Sequence, residues 1–288
     1  MTDIIVAGGG PAGLTAALYA VRAGRSVLVL EEAAPGGQIN FSPLVENYPG
    51  LPGVSGLQLS EALTRQAEEQ GVELDYAQVL GFRPEEGGFA VETDGGPLHC
   101  RALILAPGTR HRPLGLEGEE ALTGQGVSYC AVCDGFFCRG KEVAVLGAGT
   151  YALHEAGVLL PLAKRVTLLT NGDPAPEEFP QDLDLDTRPI AALVGESGIL
   201  SAVRFADGGA LEVCRLFVAL GTAGSGDLAR KVGLLTENGK IVVDGTMATN
   251  VPGLFAAGDC TGGLPQVATA VAQGAQAGLS AVRYLQNR

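Results

Sequence analysis

Two cysteines three positions apart, Cys130 and Cys133, are followed at once by an acid, Asp134, and then a glycine. Two thiols at that spacing can close a small disulfide or open to a dithiol. Such pairs lower a thiol pKa and so populate the nucleophilic thiolate. Asp134 stands within reach of a proton that must move when sulfurs exchange. Two quieter readings compete. Cys138 would make a third zinc ligand, but a structural zinc takes four, commonly from two such pairs. No second Cys-x-x-Cys or suitable histidine lies nearby, so no metal site is expected. The pair could also be two small buried residues. The elements on either side argue against both.

Those elements begin at the N-terminus. Ile4–Ala7 reads as a buried strand and Gly8-Gly9-Gly10-Pro11-Ala12-Gly13 as a glycine loop. An Ala/Leu-rich helix then runs to about Ala23, stopped by Gly24. Ser26–Leu30 is a second apolar strand, ending in Glu31-Glu32. Strand, G-x-G-x-x-G, helix, strand and acid stand in the order that dinucleotide binding requires. Gly8 permits the tight turn, Gly10 lets backbone approach a pyrophosphate at the helix N-terminus, and Gly13 lets the helix pack close to the sheet. Glu31, 18 positions beyond Gly13, is placed to accept from a ribose hydroxyl. Pro35-Gly36-Gly37-Gln38 and Glu46-Asn47-Tyr48-Pro49-Gly50 read as loops whose amides could meet a planar, polar ring edge. Leu57–Gln70 reads as an amphipathic helix. Short strands at Val72–Leu74, Gln78–Phe82, Phe89–Thr93 and Leu98–Leu105, with turns at Glu86-Gly87-Gly88 and Asp94-Gly95-Gly96, predict a β insertion.

A Pro/Gly/Glu-rich stretch, Arg110–Glu120, looks like a crossing between domains and leads to the cysteine pair. A second strand–glycine loop–helix–strand follows: Lys141–Leu146, Gly147–Ala152, Leu153–Ala163 and Arg165–Thr170. The fold class is therefore α/β, with two dinucleotide-binding (Rossmann-like) domains, the first carrying the β insertion. The second unit degrades where the first does not. Its strand ends in Thr170-Asn171-Gly172, with no acid for a ribose hydroxyl and no arginine for a 2′-phosphate. Asn171–Pro189 is acidic and broken by prolines, so no helix is expected there, and its carboxylates would repel a phosphate. Ile199–Phe205 and Ala210–Val213 predict a hairpin about Asp207-Gly208. Leu216–Leu220 is the closing strand and Gly221–Gly226 the crossing back. Lys240–Val243 is a strand, and Asp259 ends another apolar strand between glycines, where its carboxylate can meet a sugar-alcohol chain. Gln266–Gln286 is a long helix whose Ala- and Gly-rich first half suggests close approach to another backbone or a flat ligand.

Composition sets the outer bounds. With 288 residues, 46% of them apolar and 18% charged, the chain is a core-forming globular sequence long enough for two domains. A net charge of −13 disfavours nucleic acid and anionic membrane as partners. No apolar run reaches the length of a spanning helix, and the N-terminus shows neither a basic lead nor a cleavage site. Six cysteines in a chain of this size do not make a secreted disulfide scaffold. A cytoplasmic location is expected.

Taken together, Gly8–Gly13, Gly36-Gly37-Gln38, Glu46–Gly50, Cys130–Gly135, the second glycine loop and Pro252–Asp259 with Gln266 resemble the low-molecular-weight thioredoxin reductase family. The resemblance implies an FAD domain in two segments, 1–111 and 224–288. A smaller pyridine-nucleotide-type domain, 112–223, would interrupt it and carry the cysteine pair. It implies that Gly8, Gly10, Pro11, Ala12, Gly13 and Glu31 hold the ADP part of FAD. Gln38, Asn47, Asp259 and Gln266 would lie at the flavin end, with Gly37, Val79, Gly108, Gly258 and Val267 completing the cofactor site. Cys133 would face the flavin, Cys130 would attack the disulfide of a thioredoxin-like protein, and Asp134 would act as general acid–base. The family is usually a cytosolic homodimer.

The departures are equally specific. Ala152 replaces the third glycine of the second loop, which the fingerprint tolerates. The paired arginines that meet NADPH in the family are missing. Pro107 stands where the family has a hydroxyl residue, and Pro265 stands before Gln266 in place of arginine. Cys138, next to the active pair, reads as a buried apolar thiol or as a third exchange partner. An intact FAD half beside a damaged nucleotide half leads to the expectation of a donor other than NADPH, such as reduced ferredoxin or another reduced flavin. The alternatives are a conventional NADPH-dependent enzyme with an unfamiliar nucleotide site, and a flavin- or thiol-based redox sensor that turns over little.

Overall fold

The computed structural model describes residues 1–177, 179–224 and 233–287. Glu178 and the last two residues of the Gly221–Gly226 crossing lie outside the described residues. The chain divides into two compact units, Met1–Thr109 with Gly224–Arg288, and Arg110–Ala223.

Apolar residues on both faces of a strand demand cover on both sides, and that is met by a parallel sheet between helices. In the first unit the strand Thr2–Ala7 lies between Val27–Glu31 and Gly96–Leu105, with Val6 opposite Val29 on one side and Ile104 on the other. Glu73–Tyr76 extends the sheet beyond Val27–Glu31, and Leu254–Ala256 extends it beyond Gly96–Leu105, all in parallel. Sequence order therefore runs outward in both directions from the first strand. Ligands of open α/β sheets sit outside the carboxyl ends of the strands at such a reversal. Val79–Glu85, Gly88–Thr93 and the first half of Gly96–Leu105 form the antiparallel insertion. One expectation needs correction here. Glu73–Tyr76 does not belong to the insertion, since its register against Leu28–Glu31 makes it the edge of the parallel sheet.

Among the described residues, three helices cover this sheet. Pro11–Arg22 starts with proline at its first position, where the missing N–H costs nothing. Gly56–Glu69 is started by a capping box between Ser55 and Gln58. Val267–Gln286 packs on the first helix so closely that a Cβ at Gly274 or Gly278 would collide with the backbone of Ala12 or Ala16. The small residues of the last helix thus serve a helix–helix contact.

The second unit is built on five parallel strands in the order Asp184–Asp186, Arg165–Leu169, Glu142–Leu146, Arg215–Val218, Val127–Ser128. The helix Thr150–Leu159 follows the glycine loop. As expected, the segment after Arg165–Leu169 contains no helix among its described residues. The hairpin Ile199–Phe205 with Ala210–Glu212 forms as expected, but Ile190–Glu196 joins it as a third strand. That strand begins directly behind Pro189, so the proline that ends one segment opens the next. No helix among the described residues is long and apolar enough to cross a membrane.

Candidate active site

The short strand Val127–Ser128 leads into a single helical turn, Ala131–Asp134, with Cys130 as its N-cap. Positions three apart on a helical turn share a face. Cys130 and Cys133 are accordingly joined as a disulfide, their Cα atoms 5.3 Å apart, and Cys130 Sγ accepts the Cys133 N–H at 3.1 Å. Cys133 is exposed and Cys130 half-buried. The turn is held from below by two carboxylates. Glu155, from the helix Thr150–Leu159, accepts the Ala131 N–H at 2.6 Å. Asp134 Oδ2 accepts from Arg215 at 2.9 Å, and with side chains only 12% and 15% exposed the pair is largely screened from water. Exposed Val132 and Phe136 stand on either side of this machinery.

Burial pushes the Glu155 carboxyl above its ordinary value of 4.5, against the Ala131 N–H and His154, which both pull it down. A raised acid favours its neutral form in the fold. Its stabilising contribution is therefore complete below the ordinary value and is lost as pH rises through the raised one. Glu155→Gln keeps an acceptor oxygen for Ala131 without the buried charge. Its melting temperature, relative to wild type, is expected to rise between about pH 4 and pH 8. A relative melting temperature that falls across that range would contradict the assignment.

The residues expected to hold a cofactor gather at the carboxyl edge of the first unit's sheet. A Cβ on Gly8 would collide with the carbonyl of Ala106, and one on Gly13 with the carbonyl of Gly8. Strand end, glycine loop and helix start therefore touch backbone to backbone. Gly10 offers no side-chain cap to the helix Pro11–Arg22, so its first-turn N–H groups stay open toward the loop. Glu31 Oε2 accepts the Gly9 N–H at 2.6 Å, which brings the acid to the same loop. The Gly36 N–H bonds to the Gly9 carbonyl at 2.8 Å, carrying Gly37 and Gln38 to this edge. Gln38 Nε2 donates to Thr109, just beyond Gly108. Asn47 Nδ2 donates to Gln266 Oε1 at 2.9 Å, beside Val267 at the start of the last helix. Gly258 lies against Ala12, and its N–H bonds to Gln273 at 2.7 Å. Burial pushes the Asp259 carboxyl up, with Lys240 opposing. Val79 opens the insertion opposite Thr93 and packs against the core, two residues beyond Ala77, whose N–H bonds to the Glu31 carbonyl at 3.0 Å.

This edge fits FAD. It presents a tight backbone turn at Gly8 with positive φ, an uncapped helix N-terminus, an acid beside it and a partly buried carboxylate on a neighbouring loop. One buried acceptor next to Gly36, Asn40 Oδ1, has no protein partner among the described residues.

The second glycine loop is different. Gly147 makes its tight turn against Ala219, and Gly149 leaves the helix Thr150–Leu159 without a side-chain cap, so its first-turn N–H groups are open there. The ribose end does not. Thr170 is buried and its hydroxyl donates to the Asp173 carbonyl at 2.6 Å. Asn171 Oδ1 accepts the Ile190 N–H at 2.6 Å. The nearby Arg188 is clamped by Asp186 at 2.6 Å and Asp207 at 3.2 Å, and lies over the Phe205 ring.

Two Rossmann-like units, one bearing a Cys-x-x-Cys disulfide, define the class of pyridine nucleotide-disulphide oxidoreductases. The sequence profile of that family matches residues 2–274, and the chain belongs to it. Within the family its relatives are thioredoxin reductases, and it has the low-molecular-weight form of that enzyme's fold. Thioredoxin reductase of Listeria innocua is 35% identical over 299 residues, covering 99% of this chain and 94% of that protein. The crystal structure of thioredoxin reductase from Streptococcus pyogenes superimposes with a TM-score of 0.93 at 33% identity, covering 100% of this chain and 99% of the other. The atypical thioredoxin reductase TRi of Desulfovibrio vulgaris is 38% identical, with a TM-score of 0.59 and coverage of 100% and 99%.

Several functional neighbours escaped the sequence reading. Thr109 follows the expected Gly108, and its hydroxyl partners Gln38. Lys240, Gln273, Glu155 and Arg215 each act across long sequence separations, which leave no local pattern to read.

Proposed function

We propose that this protein is an FAD-dependent reductase of a thioredoxin-like protein disulfide, working as a cytoplasmic homodimer with an electron donor other than NADPH. The observation that carries the donor reading is the contrast between the two units. The first unit brings a glycine loop, an open helix start and nearby carboxylates to one edge, whereas Thr170, Asn171 and Arg188 are tied into the protein where NADPH would need free donors. Reduced ferredoxin or a reduced flavin fits that contrast. A second reading, a conventional NADPH enzyme with an unusual site, is favoured by the uncapped helix start at Thr150.

Bound FAD supplies a two-electron carrier. The chain's own residues do the rest. Reduction opens the Cys130–Cys133 bond, and Cys130 becomes the nucleophile toward a partner disulfide while Cys133 resolves the mixed disulfide. Asp134 moves the proton that accompanies each exchange, held in position by Arg215. Exposed Val132 and Phe136 offer a protein partner apolar contact. The unit that carries the pair is the one whose nucleotide end is closed.

Anaerobic titration of the FAD-loaded protein tests the donor. Slow or absent bleaching with stoichiometric NADPH, and rapid bleaching with reduced ferredoxin or reduced flavin, is the expected result. Bleaching by NADPH within seconds overturns the donor reading. Asp134→Asn is expected to lower kcat toward a thioredoxin-like disulfide by about 10²-fold or more, the usual range for a lost general acid–base. A change confined to KM would remove Asp134 from the proton path.

A further inference from the structure

Cys138 closes the turn Gly135–Cys138 just behind the active disulfide, and Cys214 stands immediately before the strand Arg215–Val218. Backbone hydrogen bonds fix both to the same place. The Cys138 carbonyl accepts the Lys141 N–H at 3.0 Å, and the Cys214 N–H donates to the Glu142 carbonyl at 3.0 Å. The two side chains belong to one packed cluster, and both are free thiols. Cys138 is 1% exposed, and its Sγ also lies 3.7 Å from the Asp134 carbonyl. Cys214 is half-buried and lines a surface depression with Glu142, Leu200, Ser201, Glu212 and Val213.

The two thiols are electronically unequal. The neighbouring Cys138 holds the Cys214 thiol below its ordinary value, with Lys141 and Arg215 adding to the effect against burial. The neighbouring Cys214, together with burial, pushes Cys138 up. A partly exposed thiol of lowered pKa, with a buried protonated thiol in the same cluster, is the arrangement that reacts with two-electron oxidants and then resolves to a disulfide.

We propose that Cys138 and Cys214 form a second redox site, separate from Cys130 and Cys133, in which Cys214 meets a small neutral hydroperoxide and Cys138 resolves the product to a disulfide. The Cys214 thiolate attacks one peroxide oxygen and the O–O bond breaks. Cys214 becomes a sulfenic acid, and the departing alkoxide or hydroxide takes a proton from water. Cys138 then attacks the sulfenic sulfur, its proton leaves with the hydroxyl as water, and the Cys138–Cys214 bond forms. In sum, two thiols and one hydroperoxide give one disulfide, one alcohol (water, for hydrogen peroxide) and one water. Glu142 and Glu212 beside the depression disfavour an anionic oxidant, which leaves a neutral peroxide as the matching class. The new bond would tie the turn that follows Asp134 to the strand that begins with Arg215, and so brace the ion pair between them.

Hydrogen peroxide is the probe. FAD-loaded wild-type protein is treated with a small excess, unfolded in an alkylating buffer, digested with trypsin and sequenced by tandem mass spectrometry. The expected product links Cys138 to Cys214 in the peptide Phe205–Arg215. Cys214→Ser should abolish it, and Cys138→Ser should let Cys214 run on to the sulfinic acid. The proposal is overturned if both thiols stay alkylatable in the wild type. It is equally overturned by Cys214 sulfinic acid without a cross-link, or by a cross-link from Cys214 to Cys130 or Cys133. The wild-type result decides even where a variant fails to fold. Because the readout is the cross-link, its failure leaves the reductase reading untouched.

Discussion

Serine at Cys130 or Cys133 is expected to lower kcat/KM for a thioredoxin-like disulfide by at least about 10³-fold, because neither thiol can complete exchange alone. The two variants should nevertheless differ. Cys133→Ser leaves the Cys130 nucleophile without its resolving partner, so a protein disulfide should be trapped on Cys130 as a stable mixed disulfide. Cys130→Ser removes the proposed attacking thiol and leaves only the resolving Cys133, so no trapped complex should accumulate. The reverse pattern would exchange the roles of the two sulfurs. Neither change touches the first unit, where the glycine loops, Glu31 and Asp259 stand. The double serine variant should therefore purify with FAD at wild-type stoichiometry, read from its flavin absorbance. A folded but colourless double variant, or one that still turns over protein disulfide at more than a percent or so of wild type, defeats this account.

What the sequence disclosed and what it hid follow from range. The glycine loops, the strands beside them and the Cys-x-x-Cys turn are local patterns, and each is set by backbone sterics within a few residues. The loop pattern assigns Gly8 a tight turn and Gly13 close packing of helix on sheet; Gly8 has a positive φ, and a Cβ on Gly13 would meet the Gly8 carbonyl and the Val6 side chain. Glu155 under Ala131 and Arg215 on Asp134 join positions 24 and 81 residues apart. No spacing rule reaches that far, because the pairing depends on which strand lies next to which. Cys214 was unremarkable in sequence for the same reason. It gained meaning only when the strand Arg215–Val218 proved to be the parallel neighbour of Glu142–Leu146, which starts just behind Cys138. The extra strand Ile190–Glu196 was hidden differently, since its apolar run sits directly behind an acidic, proline-rich stretch.

The second large effect is expected in nucleotide binding, with neither NADPH nor NADH binding the oxidised protein more tightly than about millimolar. A 2′-phosphate carries roughly two negative charges and is normally met by an arginine fork. Each lost charge-assisted hydrogen bond costs about 1.5–3 kcal/mol, so a lost pair alone is worth about 10²–10⁴ in Kd. The place where such a fork would stand offers Thr170, Asn171, Gly172 and Asp173, then Glu177, Asp182, Asp184 and Asp186. Arg188 is no substitute. Its guanidinium holds Asp186 through two nitrogens and Asp207 through a third, so presenting it to a phosphate would strand two carboxylates. NADH avoids the 2′-phosphate but gains nothing, because the Thr170 hydroxyl is spent on the Asp173 carbonyl and the Asn171 oxygen on the Ile190 N–H. Among the described residues the open helix start at Thr150 remains for the pyrophosphate, and one helix terminus contributes about 0.3–1 kcal/mol per charge at an exposed site. Isothermal calorimetry decides the matter. Heats indistinguishable from dilution up to millimolar nucleotide are the expected record. A micromolar Kd for NADPH would instead show that Arg188 leaves its carboxylates on binding, in which case Arg188→Met should abolish that affinity.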